Sequence, residues 1–101
     1  MQILCLDVPN EGVTPDQYPP ETLKAETVHA WALYKSGVIR AIYSRHDRPG
    51  VIIVMECESV AEAEKIGATF PLAKAGLLRF EYIPFGAYAF LENLFAAENK
   101  I

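Results

Sequence analysis

The stretch "VIIVMEC", residues 51–57, decides the fold. It is short and almost continuously apolar. Side chains of a strand alternate between two faces, so an unbroken apolar run places apolar groups on both. A strand here therefore needs cover on each side. The residues before it, "YSRHDRPG" (43–50), hold a polar cluster, Arg45-His46-Asp47-Arg48, and then a turn signal. Pro49 presets φ and Gly50 accepts positive φ. "VIRAIYSR" (38–45), rich in β-branched residues, reads as the strand that enters this turn. On the other side, Ser59-Val60-Ala61-Glu62 fits a capping box that opens a helix running to about Ala68.

Working outward, "QILCLDV" (2–8) is a strand stopped by "PNEG". A loop, "VTPDQYPP", follows. Pro19 and Pro20 stand where a helix begins, because proline costs nothing at the first helical position. Residues 21–36 lack Gly and Pro, and Gly37 supplies the C-terminal stop. Leu23, Thr27, Ala30, Trp31 and Tyr34 share one side of this helix, with Glu26 at its edge and His29 further round. "TFPLAKAG" reads as a connector with Pro71 blocking helix continuation. "LLRFEYIPF" (77–85) is a fourth strand, with Leu78, Phe80 and Tyr82 on one side and Ile83 and Phe85 on the other. A last helix is expected over about 87–97, carrying Tyr88, Leu91, Leu94 and Phe95 on one side.

The order β-α-β-β-α-β plus a C-terminal helix is that of an α+β, ferredoxin-like domain spanning residues 1–101. It puts two helices on one face of a four-stranded antiparallel sheet. The other face is apolar in strands three and four, and nothing in the chain covers it. A second copy is the simplest cover, which gives a homodimeric α+β barrel.

Composition narrows the function classes. Of 101 residues, 51% are hydrophobic and 22% charged, which suits a folded chain. The net charge is −4 and the pI about 5.1, with no basic run of the kind that binds phosphate backbones. Nucleic acid is not an expected partner. No apolar stretch reaches the roughly 20 residues of a membrane helix, and "MQILCLDVP" lacks the layout of a signal peptide. Cys5 and Cys57 stand far apart without CxxC spacing, so two core cysteines in a reducing cytoplasm are expected, with no metal. No cofactor is expected.

Three short motifs resemble muconolactone isomerases. "FPLAKAGLLRFEYIPF" (70–85) is similar to their Leu-Pro-Leu, aromatic-Glu-Val-x-Pro-Leu segment, "LDVP" (6–9) to their first strand, and "MECES" (55–59) to the close of their third. The chain thus resembles a muconolactone isomerase-like or YCII-related member of the dimeric α+β barrel proteins. The resemblance implies a homodimer with a pocket beside the sheet. It also implies a cofactor-free shift of a double bond in a small cyclic lactone. "NEGVTPDQYPP" and "WALYKSG" depart from that pattern.

Such a shift needs a base that moves one proton and a group that steadies the enolate oxygen. A desolvated carboxylate suits the first role. Asp7, Glu56 and Glu81 lie in strands. Glu56 shares a face with Ile52 and Val54, which would raise its pKa; alternatively Glu56 and Glu81 pair with Arg40 or Arg79. Glu26 and His29, three residues apart on a helix, are within mutual reach and could act as base and partner at a pocket rim, or stand on a solvated flank. The expected catalytic set is Glu26, His29, Glu56 and Asp7, with Glu26 preferred. Trp31, Tyr34, Tyr43 and Arg40 are the expected substrate contacts, although core packing is the ordinary role of such aromatics. His46 is a loop residue. Arg45 and Arg48 can reach a carboxylate from the lip but are left outside the expected site. Two other functions fit the fold: a cofactor-free monooxygenase, and a non-catalytic small-molecule-binding or interaction protein. A pocket-facing carboxylate without a partner favours an enzyme, and a pocket filled by side chains favours the structural role.

Overall fold

Strand β1 (Gln2–Pro9) sits inside a four-stranded antiparallel sheet of order β2-β3-β1-β4, in a computed structural model that describes residues 1–95. β2 is Ile39–Ser44, β3 Val51–Glu56 and β4 Leu78–Phe85. β1 pairs with β3 (Leu4↔Val54) and with β4 (Cys5↔Tyr82), so both of its edges are satisfied. The β2–β3 hairpin carries a bulge between Ile39 and Ala41. This is the ferredoxin-like topology expected from the element order.

Helix α1 (Pro20–Lys35) starts with Pro20 at its first position. It ends where Gly37, at φ +88°, lets the Gly37 and Val38 amides reach back to the Tyr34 and Leu33 carbonyls. Helix α2 (Val60–Gly67) is capped by Ser59, whose Oγ accepts the Glu62 amide at 3.1 Å. The Glu62 carboxylate accepts the Glu58 amide rather than that of Ser59. The expected connector holds a one-turn helix, α3 (Pro71–Lys74). Pro71 opens this helix instead of blocking one, since it occupies the first position. Of the expected last helix, one turn, α4 (Phe90–Asn93), is formed; residues 96 and 97 lie outside the described part.

Ile3, Cys5, Ile53, Met55, Leu78 and Phe80 point to the helix side and are buried with Ala63, Phe70 and Leu72. Both cysteines are buried and free. Leu4, Leu6, Ile52, Val54 and Ile83 face the other way, and none of them is buried. No helix among the described residues is long and apolar enough to cross a membrane.

Trp31, Tyr34 and Tyr43 are not core residues: they are 60%, 48% and 60% exposed. Helix α1 packs on α3 and on the edge strand β2 rather than over the middle of the sheet, and its Ala30 and Leu33 reach the core. No residue of α1 is fully buried. A helix set toward the edge of its sheet leaves a space beneath it.

Candidate functional site

That space is a cavity of about 380 Å³ between α1 and the helix side of the sheet. Its floor is apolar, built from Ile53, Phe70, Leu72 and Leu78, and four polar side chains line it: Asp7, Tyr18, Glu26 and Thr27, whose hydroxyl donates to the Leu23 carbonyl.

Glu26 comes from the middle of α1. Its Oε1 accepts the backbone amide of Leu72 at 3.0 Å, and Oε2 has no hydrogen-bond partner among the described residues. Burial pushes its pKa above the ordinary glutamate value. The Leu72 amide works against that rise, and the charge of Asp7 adds to it.

Asp7 is 7% exposed. Regular β1–β3 pairing ends at Leu6↔Ile52. One residue further on, Asp7 Oδ1 accepts the Val51 amide at 3.0 Å. Arg48 donates from Nη2 to the Asp7 carbonyl at 2.5 Å, and its Nη1 stands 3.8 Å from Oδ1. Asp7 thus ties the β2–β3 loop to the end of β1. A side chain at Gly50 would strike this tie, since a Cβ there meets Asp7 Oδ1 at 2.6 Å.

Tyr18 was not legible as a site residue. It precedes the double proline that opens α1, so the loop delivers it beside the helix start. Its phenol pKa is raised, first by burial and then by the charge of Asp7; Arg48 opposes the rise and Glu26 adds to it. The hydroxyl therefore remains a hydrogen-bond donor.

The remaining expected catalytic residues lie elsewhere. His29 does not face Glu26. Its Nε2 stands 2.8 Å from Thr69 Oγ1, whose own proton goes to the Ile66 carbonyl, so Nε2 is the donor. Its ring meets Phe70 edge-on at 4.9 Å. Burial, and then the charge of Lys74, lowers its pKa. Glu56 lies on the opposite sheet face, across from Gln2, and pairs with the Met1 amino group. Its pKa is lowered, by that hydrogen bond first, contrary to the rise expected from its apolar strand. Arg45 grips Asp47 through two bonds of 2.9 and 2.6 Å, which holds the Asp47 carboxyl at about 2, and His46 is exposed beside them.

Trp31, Tyr34, Arg40 and Tyr43 do come together. They line a groove of about 550 Å³ between α1 and β2. Trp31 and Tyr34 lie nearly parallel, 5.8 Å between ring centres and 15° between planes. Thr27, Ala30 and Ile42 line both the groove and the cavity, so the two adjoin. No three His, Cys, Asp or Glu side chains among the described residues form a metal-binding group.

Fold and cavity together define a ferredoxin-like α+β protein with a mainly apolar pocket under its first helix, into which a few polar side chains reach. No protein-family model matches the chain, and no curated protein matches it. Among solved structures it is similar to 5-chloro-2-hydroxyhydroquinone dehydrochlorinase (TftG) from Burkholderia phenoliruptrix AC1100, in complex with 2,5-dihydroxybenzoquinone. The TM-score is 0.69 at 19% identity, over 88% of this chain and 97% of the other. At that identity the likeness carries the fold.

Proposed function

We propose that this chain is a cofactor-free proton-transfer enzyme that moves a double bond in a small oxygen-bearing ring compound, and that it works as a homodimer. The observation that carries the reading is Glu26: a half-buried carboxylate with a raised pKa and one uncommitted oxygen, lining an apolar cavity that also holds a phenol. A cavity open to a ligand favours the enzyme over the purely structural role. The motifs shared with muconolactone isomerases point the same way. So does the dehydrochlorinase neighbour, seen with an oxygenated ring.

In the proposed reaction Glu26 Oε2 takes a proton from carbon next to a carbonyl. The electron pair moves onto the carbonyl oxygen, to which the Tyr18 hydroxyl donates a hydrogen bond. The resulting carboxylic acid returns the proton two carbons along, and the double bond has moved with no net change in atoms. A base with a raised pKa takes the proton more strongly and still releases it. Leu72 holds Oε1, which aims Oε2. Asp7 and Arg48 fix the rim.

The test is a panel of lactones and cyclic enols incubated in deuterated water and followed by proton NMR. Exchange and rearrangement are expected for at least one compound. Glu26→Gln should lose roughly 10²–10⁴-fold in rate, the usual worth of a general base. Tyr18→Phe should lose roughly 10²–10³-fold, as when one oxyanion donor is removed. A variant Glu26→Gln with undiminished turnover excludes the mechanism.

A further inference from the structure

We infer that the substrate has two parts, a reacting ring in the cavity and a flat, conjugated arm with an anionic end lying in the groove between α1 and β2. This rests on the reading that the cavity takes the ring. The groove adjoins the cavity, with Thr27, Ala30 and Ile42 lining both, so the two spaces are close enough for one ligand to occupy both. Its helix wall is the near-parallel pair Trp31 and Tyr34, and its strand wall carries Tyr43. Flat aromatic walls favour a flat arm, which offers stacking area at little entropic cost. Arg40 also lines the groove. Its Nε donates to the Gly37 carbonyl at 2.6 Å, which fixes the side chain. Its terminal nitrogens make no hydrogen bond among the described residues, and they suit a carboxylate. A lone lactone would use none of these four residues. Their exposure, on the facing sides of α1 and the edge strand β2, is what an unfilled subsite looks like.

Trp31 is the sole tryptophan, so its emission reports on the groove alone. The probe is a hydroxybiphenyl carboxylate, compared by calorimetry with its halves, phenol and benzoate. It should bind at least about tenfold more tightly than phenol and quench Trp31, whereas phenol should bind without quenching. Tyr34→Ala should weaken the two-part probe by roughly 2–10-fold, and Arg40→Gln by roughly 2–5-fold, as for an exposed ion pair. Neither should change phenol binding. Equal affinity for the probe and phenol, with Trp31 emission unmoved, overturns the proposal. So does Trp31 emission that shifts on dilution of the free protein, since the groove is then covered by a second copy. Glu26→Gln separates the two readings. Quenching that survives in an enzyme without turnover counts against proton transfer only; turnover without quenching counts against the groove only.

Discussion

Glu26 on α1 and Leu72 on α3 are joined side chain to backbone at 3.0 Å, across 46 residues of sequence. The amide that Glu26 accepts belongs to the first turn of a helix, where amides have no intrahelical partner. The bond therefore does two things. It satisfies an otherwise free donor, and it holds a carboxylate against an apolar wall that raises its pKa.

Stability should depend on pH through this residue. A glutamate whose folded pKa is raised favours the folded state most when it is protonated. That advantage is full below the ordinary value of 4.5 and is lost as pH rises through the raised one. Glu26→Gln keeps an acceptor for Leu72 and removes the charge. Its melting temperature should exceed wild type by a few degrees at about pH 7 and match it at about pH 4. An unchanged gap at the two pH values contradicts the assignment.

His29 gives the opposite slope. Its pKa lies below 6.5, so the neutral ring is the folded form, and its contribution is present above 6.5 and lost as pH falls through the lowered value. His29→Gln can still donate to Thr69. Thermal melts of this variant should lose less stability than wild type between about pH 7 and about pH 5, and proton-transfer activity should stay near the parent level.

Gly67 is a packing requirement. A Cβ there would stand 1.8 Å from the Tyr82 hydroxyl and 3.0 Å from its ring carbon. Gly67→Ala should cost roughly 1–3 kcal/mol through overpacking. Adding Tyr82→Phe removes the nearer atom, so the double variant should recover part of the loss in urea unfolding. Simple additivity would mean that the two groups do not meet.

The open sheet face should be an interface. Leu4, Leu6, Ile52, Val54 and Ile83 form an apolar surface on which no helix among the described residues packs, and light scattering at micromolar concentration should give a dimer. Val54→Lys, at the middle of that face, should give a folded monomer. A monomeric wild type ends the barrel reading.

Deleting the residues after Gly86 should also weaken assembly. Tyr88, Phe90 and Leu91 are 66%, 66% and 55% exposed in the single chain. Unchanged mass and melting point would make this segment an appendage.

Much of the fold was legible because its signals are local. Proline at Pro20, glycine at Gly37 and the two-sided pattern of residues 78–85 each specify backbone geometry without reference to anything distant. Site legibility stopped where distance began. Glu26 could be marked from its place at a helix edge, but residues three apart are turned about 60° from each other. That angle was enough to put His29 against Thr69 and Phe70, ahead of α3, and Glu26 in the cavity. Tyr18 escaped because loop composition does not say where a loop returns. Periodicity placed Trp31 and Tyr34 on one side of α1, as found. It could not say that the side overhangs an edge strand, because a face is a property of one element and its cover a property of two. Glu56 misled for a related reason: an apolar strand raises a carboxylate's pKa only if the face it shares is shut.

The position of β1 has a consequence for how the chain is made. It is flanked on one side by β3 and on the other by β4, with Gln2 opposite Phe85. β1 is thus held by a strand made far later in the chain, and its second edge stays bare until residues 78–85 emerge. Non-local pairing of this kind folds slowly relative to helical contacts. During synthesis the nascent chain presents an unpaired apolar strand, the form most open to capture by other strands. A circular permutant opened in the loop between β1 and α1, with β4 joined directly to β1, would keep the β2–β3 hairpin, make the β1–β4 pair local and should refold faster than the parent.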